Sequence, residues 1–182
     1  HAKDINLQEA VVKGLAADKG LFMPDTIKQL PASFYDKIET LSFQEIAYTV
    51  ADAFFGEDIE AETLKHIVYD TLQFDVPLVH VTDSIYSLEL YHGPTLAFKD
   101  VGARFMARLL SYFIKKQKQE DVKVLVATSG DTGRAVANGF LGVEGIHVYV
   151  LYPKGKVSAI QECQFTTLGQ NITSLEVSGT FD

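Results

Sequence analysis

Two stretches constrain the fold of this chain more than any other: Val122 to Ala127, "VKVLVA", and Ile146 to Leu151, "IHVYVL". Each is a short, nearly continuous apolar run rich in β-branched residues, as expected of strands buried on both faces. A glycine loop and a helix-like segment separate them, long enough for a crossover between parallel neighbours. The same texture begins at Val76. "PLVHVT", "YSLELYH", "VKVLVATS", "IHVYVLYP" and "NITSLEVS" alternate with helical patterns, which predicts an α/β fold: a parallel βαβ sheet covered on both faces, with right-handed crossovers. Residues 1–75 read differently. "NLQEAVVKGLAADKG" has apolar spacing near 3.6 and ends in glycine, "GLFMP" is a turn-bounded apolar run, and Ser42 precedes Glu45 at the capping-box interval of a helix running towards Gly56. The expected organisation is a mainly helical packing segment over 1–75, then the first part of an α/β domain over 76–182. Because the chain opens at His1 without a methionine and closes on "SGTFD" just after a strand-like run, truncation or cleavage is expected at both ends, and the natural protein is expected to be longer.

Charge narrows the partners. Lys and Arg total 16 against 24 Asp and Glu, a formal net charge of -8, which argues against nucleic acid or an anionic membrane surface. The single cysteine, Cys163, has no partner for an intramolecular disulfide, so a reducing, cytoplasmic setting is expected. No apolar run approaches the roughly 20 residues of a membrane span. The five histidines (1, 66, 80, 92 and 147) lack zinc-ligand spacing, so no metal is assigned. No serine stands in a G-x-S-x-G context, which removes the usual hydrolase elbow.

Chemistry concentrates in two places. In "YHGPTLAFKD" (91–100), Thr95 is a candidate N-cap for a helix running through "LAFKDVGARFMARLLSYFIKKQ", with Phe98, Val101, Phe105, Leu109 and Phe113 forming its core stripe. Lys99 lies beside that stripe in the first turn, where the helix dipole disfavours an ammonium by ~0.3–1 kcal/mol. Three, four and seven residues on come Gly102, Ala103 and Met106, which offer it no carboxylate. A lysine held near its neutral form presents the amine that attacks an aldehyde to form a Schiff base. The rival reading is a solvated lysine loosely paired with Asp100.

The second place follows the "VKVLVA" strand. Thr128, Ser129, Gly130, Asp131, Thr132 and Gly133 form a strand-to-helix loop, with a helix beginning near Arg134. Ligands bind at the carboxyl ends of parallel strands. Here glycines let a ligand approach, and hydroxyls with unpaired amide N–H groups form a cup for a carboxylate or phosphate. The plain alternative is a tight turn with an N-cap. Neither stretch has the spacing of a phosphate-binding P-loop or of the dinucleotide fingerprint.

"LELYHGPTLAFKDVGARFMA", "ATSGDTGRAVA" and "LYPKGKVSAIQECQFTTLGQNI", with "GLAADKGLFMP" near the start, together resemble the threonine synthases of bacteria and fungi, within the fold-type II pyridoxal-phosphate enzymes. The resemblance covers nearly the whole chain and stops well short of a complete enzyme. It implies a tryptophan-synthase-β-like fold whose carboxyl-terminal remainder is absent. It also implies that Lys99 carries pyridoxal phosphate as a Schiff base and shuttles protons between substrate carbons. Asp131 stands where many relatives place an asparagine beside the cofactor's ring hydroxyl, and Thr128, Ser129, Gly130, Asp131 and Thr132 would embrace cofactor and substrate carboxylate. The implied reaction converts O-phospho-L-homoserine and water to L-threonine and phosphate. Lys154, Lys156 and Arg104 are candidates for the leaving phosphate. The family's glycine-rich cofactor-phosphate loop does not occur in these residues, so this stretch alone is expected to bind the cofactor poorly and to turn over no substrate. Two alternatives stay open: another lyase of the same fold type acting on a phosphorylated or hydroxylated amino acid, and a non-catalytic α/β module that binds an anion.

Overall fold

A computed structural model of the chain describes residues 2–118 and 121–179, which divide into two units, 1–72 and 73–182. The first unit is built from helices that obey local rules. Asn6 caps α1 (Leu7–Lys13) through Glu9 N–H, and Gly14, at φ 72°, ends it. The glycine at 14 thus stops this helix six residues earlier than the apolar spacing suggests, and a bridge between Leu15 and Leu21 closes the turn that follows. A short α2 (Ala32–Tyr35) leads to α3 (Phe43–Phe55). Its start carries the full capping box: Ser42 accepts from Glu45 N–H, and the Glu45 carboxylate accepts from Ser42 N–H at 2.7 Å. These bonds, the backbone one foremost, hold Glu45 below the usual carboxylate range. Helix α4 (Ala61–Thr71) packs against α3 and buries Leu64, Ile67 and Val68.

The second unit opens with a departure from the sequence reading. The "PLVHVT" and "YSLELYH" runs do not join the parallel sheet; they form β1 (Leu78–Thr82) and β2 (Ile85–Leu88), an antiparallel pair of their own. Only Asp83 and Ser84 separate them, Asp83 at φ 46°, and two residues cannot make the crossover that parallel neighbours require. Helix α5 (Lys99–Gln117) follows, then β3 (Val122–Ala127), α6 (Asp131–Phe140), β4 (Ile146–Pro153), α7 (Ala159–Thr166) and β5 (Ile172–Val177). The three strands lie parallel in the order β3-β4-β5.

Both crossovers step the same way across the sheet, so right-handedness puts α6 and α7 on one face. Helix α6 packs on β3 and β4, α7 packs on β5, and α5 packs on α6. Ile146, Val148 and Val150 of β4 point into that layer and are fully buried. On the other face of the strands Leu125 is 71% exposed, in register with Tyr149, and Leu175 and Val177 are also exposed in this chain.

Candidate functional site

Helix α5 begins one residue before its buried carboxylate. Thr95 is not the N-cap; Phe98 holds that position and Lys99 is the first helical residue. The reason lies in Asp100, which is 1% exposed and accepts from Thr95 N–H at 2.8 Å and from Thr95 Oγ–H at 2.5 Å. Thr95 is itself buried. This clamp folds residues 93–98 into a turn, with Leu96 in the left-handed region at φ 56°. Gly93 admits the fit, since a Cβ there would stand 2.6 Å from Asp100 Oδ2. The core stripe shifts accordingly: Leu109 and Phe113 are buried with Ala107, Leu110 and Ile114, while Phe98 is 60% exposed.

The clamp removes Asp100 as a partner for Lys99. Asp100 is committed to Thr95 and does not pair with the lysine. Lys99 is half-buried, and its Nζ lies 5.6 Å from the centre of the Phe98 ring. No carboxylate among the described residues comes within 4 Å of it.

Helix α5 is about 27 Å long at about 1.5 Å per residue and leads into β3 through residues 118–121. The 128–133 loop leaves the carboxyl end of β3. Helices α5 and α6 cross tightly one turn into α5: a Cβ on Gly139 would stand 3.1 Å from the Ala103 backbone.

In the loop, the structure assigns unequal parts to the expected residues. Thr128 is buried, and its hydroxyl oxygen accepts from Gly130 N–H at 2.9 Å and Gly133 N–H at 2.8 Å. It therefore fills part of the expected cup with the chain's own oxygen and acts as the capping group of α6. Gly133 is needed because a Cβ there would overlap the Thr128 side chain. Gly130 takes φ 154°, a conformation that favours glycine. The amides of Ser129, Asp131 and Thr132 have no partner among the described residues, leaving three N–H groups at the start of α6. Ser129 is exposed and Thr132 half-buried. Asp131 opens the helix, three residues before the expected start. Its Oδ1 lies 2.9 Å from Arg134 Nη2 and accepts from Gln161 Nε2 at 2.9 Å.

Sequence reasoning missed Gln161 and Arg134, and it missed a cluster beside the clamp. Glu89 accepts from the Tyr91 hydroxyl and pairs with His92 Nε2 at 2.7 Å. Those bonds, Tyr91 first, hold Glu89 below the usual carboxylate range and push the Tyr91 phenol up. The signal was local: an acid two and three residues before a tyrosine and a histidine. The cations considered for a leaving phosphate each have their own surroundings. Lys154 lies 3.9 Å from Glu176, Arg104 sits over Phe74, and Lys156 is exposed.

Comparison with known proteins decides what carries this arrangement. A family model described as threonine synthase N terminus matches residues 1–72. Threonine synthase of Buchnera aphidicola is 42% identical over 183 residues, and that of Escherichia coli 40% identical over 182 residues. Over its whole length the chain is similar to threonine synthases, and its first 72 residues match that family's N-terminal model. Each alignment covers 100% of this chain and 42% of the relative, so the chain spans about two-fifths of the length of the curated threonine synthases it matches. Solved structures agree. The crystal structure of the Escherichia coli enzyme superposes with a TM-score of 0.87 at 40% identity, covering 97% of this chain and 41% of that one. The PLP-bound threonine synthase of Brucella melitensis gives 0.91 at 34% identity, covering 100% and 40%. The α/β fold is that of the fold-type II enzymes of this family. Among the described residues no helix is long and apolar enough to cross a membrane, and no group of three or more His, Cys, Asp or Glu could hold a metal ion.

Proposed function

We propose that this chain is the lysine-bearing part of a cytoplasmic threonine synthase, a pyridoxal-phosphate-dependent lyase that converts O-phospho-L-homoserine and water to L-threonine and phosphate. One observation carries the reading: the helix that leads into β3 begins with an amine that pairs with no carboxylate among the described residues, and that strand ends in a glycine loop with three amides open among the described residues. The residues fit the cofactor. Lys99 offers an amine to its aldehyde, the loop offers backbone N–H groups at the start of α6, and Asp131 offers an acceptor at the mouth of the loop. Pyridoxal phosphate, when bound, supplies an electron sink for carbanions formed beside the substrate nitrogen.

The chain's own residues then have separate tasks. Lys99 holds the cofactor and, once released, moves protons at Nζ between neighbouring substrate carbons. The amides of Ser129, Asp131 and Thr132, at the positive end of α6, bind the substrate carboxylate with the Ser129 and Thr132 hydroxyls. Thr128 orients them by holding the amides on either side. The Thr95–Asp100 clamp keeps Asp100 from quenching Lys99 as an ion pair.

The test uses a polypeptide carrying these residues at the full length of the relatives. After incubation with pyridoxal phosphate and reduction with borohydride, peptide mass spectrometry should find the label on Lys99. Phosphate release from O-phospho-L-homoserine should vanish in Lys99→Ala. A label on another lysine, or phosphate release that survives Lys99→Ala, overturns the proposal. The 182-residue chain alone should bind the cofactor weakly and release no phosphate.

A further inference from the structure

Gln161 lies in the first turn of α7, thirty residues from the loop it touches, and its amide is oriented from both ends. Its Oε1 accepts from Ser158 Oγ at 2.8 Å, which turns Nε2 toward Asp131 Oδ1 at 2.9 Å. A carboxylate is an acceptor only, so this is the one orientation that satisfies both neighbours. The side chain also covers the loop: a Cβ on Gly130 would stand 2.7 Å from Nε2. On its other side Asp131 meets Arg134, which reaches back to α7 through Gln164 Oε1 at 2.7 Å. The carboxylate at the mouth of the open amides is thus held from α7 as well as from its own helix.

We infer that Gln161 is a positioning residue for the cofactor site: its amide fixes the Asp131 carboxylate in the rotamer that meets the cofactor ring. The inference rests on the function proposed above and extends it to a residue outside the loop. A free carboxylate rotor beside an anion cup turns toward the amides and competes with the ligand; a carboxylate held at Oδ1 does not. Helix α7 directly follows the "YPKGKVS" segment, so Gln161 also ties that segment to the cofactor loop.

The experiment is a double-mutant cycle in the full-length holoenzyme, read by the dissociation constant for pyridoxal phosphate and by the visible absorption of the bound cofactor, which responds to the groups around its ring hydroxyl. Gln161→Met keeps the volume and removes the donor. It should weaken cofactor binding about 5- to 20-fold, within the worth of one hydrogen bond to a charged group, and shift the absorption maximum. Gln161→Glu should weaken it further by setting two carboxylates face to face. In an Asp131→Ala background both substitutions should change binding by less than about twofold. Equal losses with and without Asp131, or an unshifted spectrum in both variants, overturn the inference. If either variant fails to fold, the other completes the cycle. Should the unsubstituted enzyme itself show neither visible cofactor absorption nor labelled Lys99, the functional reading fails and takes this inference with it; a normal parent with an additive cycle removes the inference alone.

Discussion

Replacing Asp100 with alanine tests the claim that one buried carboxylate sets the start of α5. The carboxylate is 1% exposed and accepts both the amide and the hydroxyl of Thr95, which is 4% exposed. Hydrogen bonds to a charged group are worth about 1.5–3 kcal/mol each, and the carboxylate's place in the first helical turn adds about 0.3–1 kcal/mol. The two bonds share one acceptor group and do not add fully, so Asp100→Ala should cost about 3–5 kcal/mol, mostly by stranding a buried hydroxyl and amide. Asp100→Asn keeps shape and one acceptor and should cost about 1–2 kcal/mol. The chain has no tryptophan, so urea unfolding is best followed by circular dichroism at the helical band. In a Thr95→Val background Asp100→Ala should cost markedly less, because the hydroxyl bond is already gone. A loss below about 1 kcal/mol for Asp100→Ala, or full additivity with Thr95→Val, refutes the clamp as the determinant of the helix start.

Further outcomes follow from the loop and the first unit. Thr128→Val removes the oxygen that accepts from Gly130 and Gly133 N–H and should cost about 1–2 kcal/mol in thermal unfolding, while Thr128→Ser stays near the parent. Gly130→Ala forces a Cβ to 2.7 Å from Gln161 Nε2 at φ 154° and should cost about 1–3 kcal/mol. Glu45 has a folded-state pKa below its unfolded one, through its bonds to Ser42, so its contribution is complete above the unfolded value and disappears as pH falls through the folded one. The melting temperature should therefore drop more steeply between about pH 5 and pH 3 in the parent than in Glu45→Ala.

Several features were legible because their causes are local. Ser42 and Glu45 sit three residues apart and meet on the first turn of α3 as their spacing requires. The runs at 122–127 and 146–151 became parallel neighbours because each is nearly continuous in apolar residues and a helix length separates them. Lys99 and the 128–133 loop drew attention through their neighbours in the chain. The early end of α1 at Gly14 and the two-residue Asp83–Ser84 turn were also visible, but longer apolar patterns outweighed them. The hairpin was misread for that reason: β-branched runs announce strands without announcing partners.

The amino-acid order alone determined the alternation of elements, the loop that ends β3 and a lysine without acidic neighbours one turn along its helix, since propensity, periodicity and capping act over three or four residues. Tertiary structure decided the rest: Asp100 turned inward to Thr95, Thr128 spent its oxygen on the loop, and Gln161 reached Asp131 from thirty residues away. Those outcomes depend on which elements pack together, and a buried polar group takes whichever partner packing brings within reach.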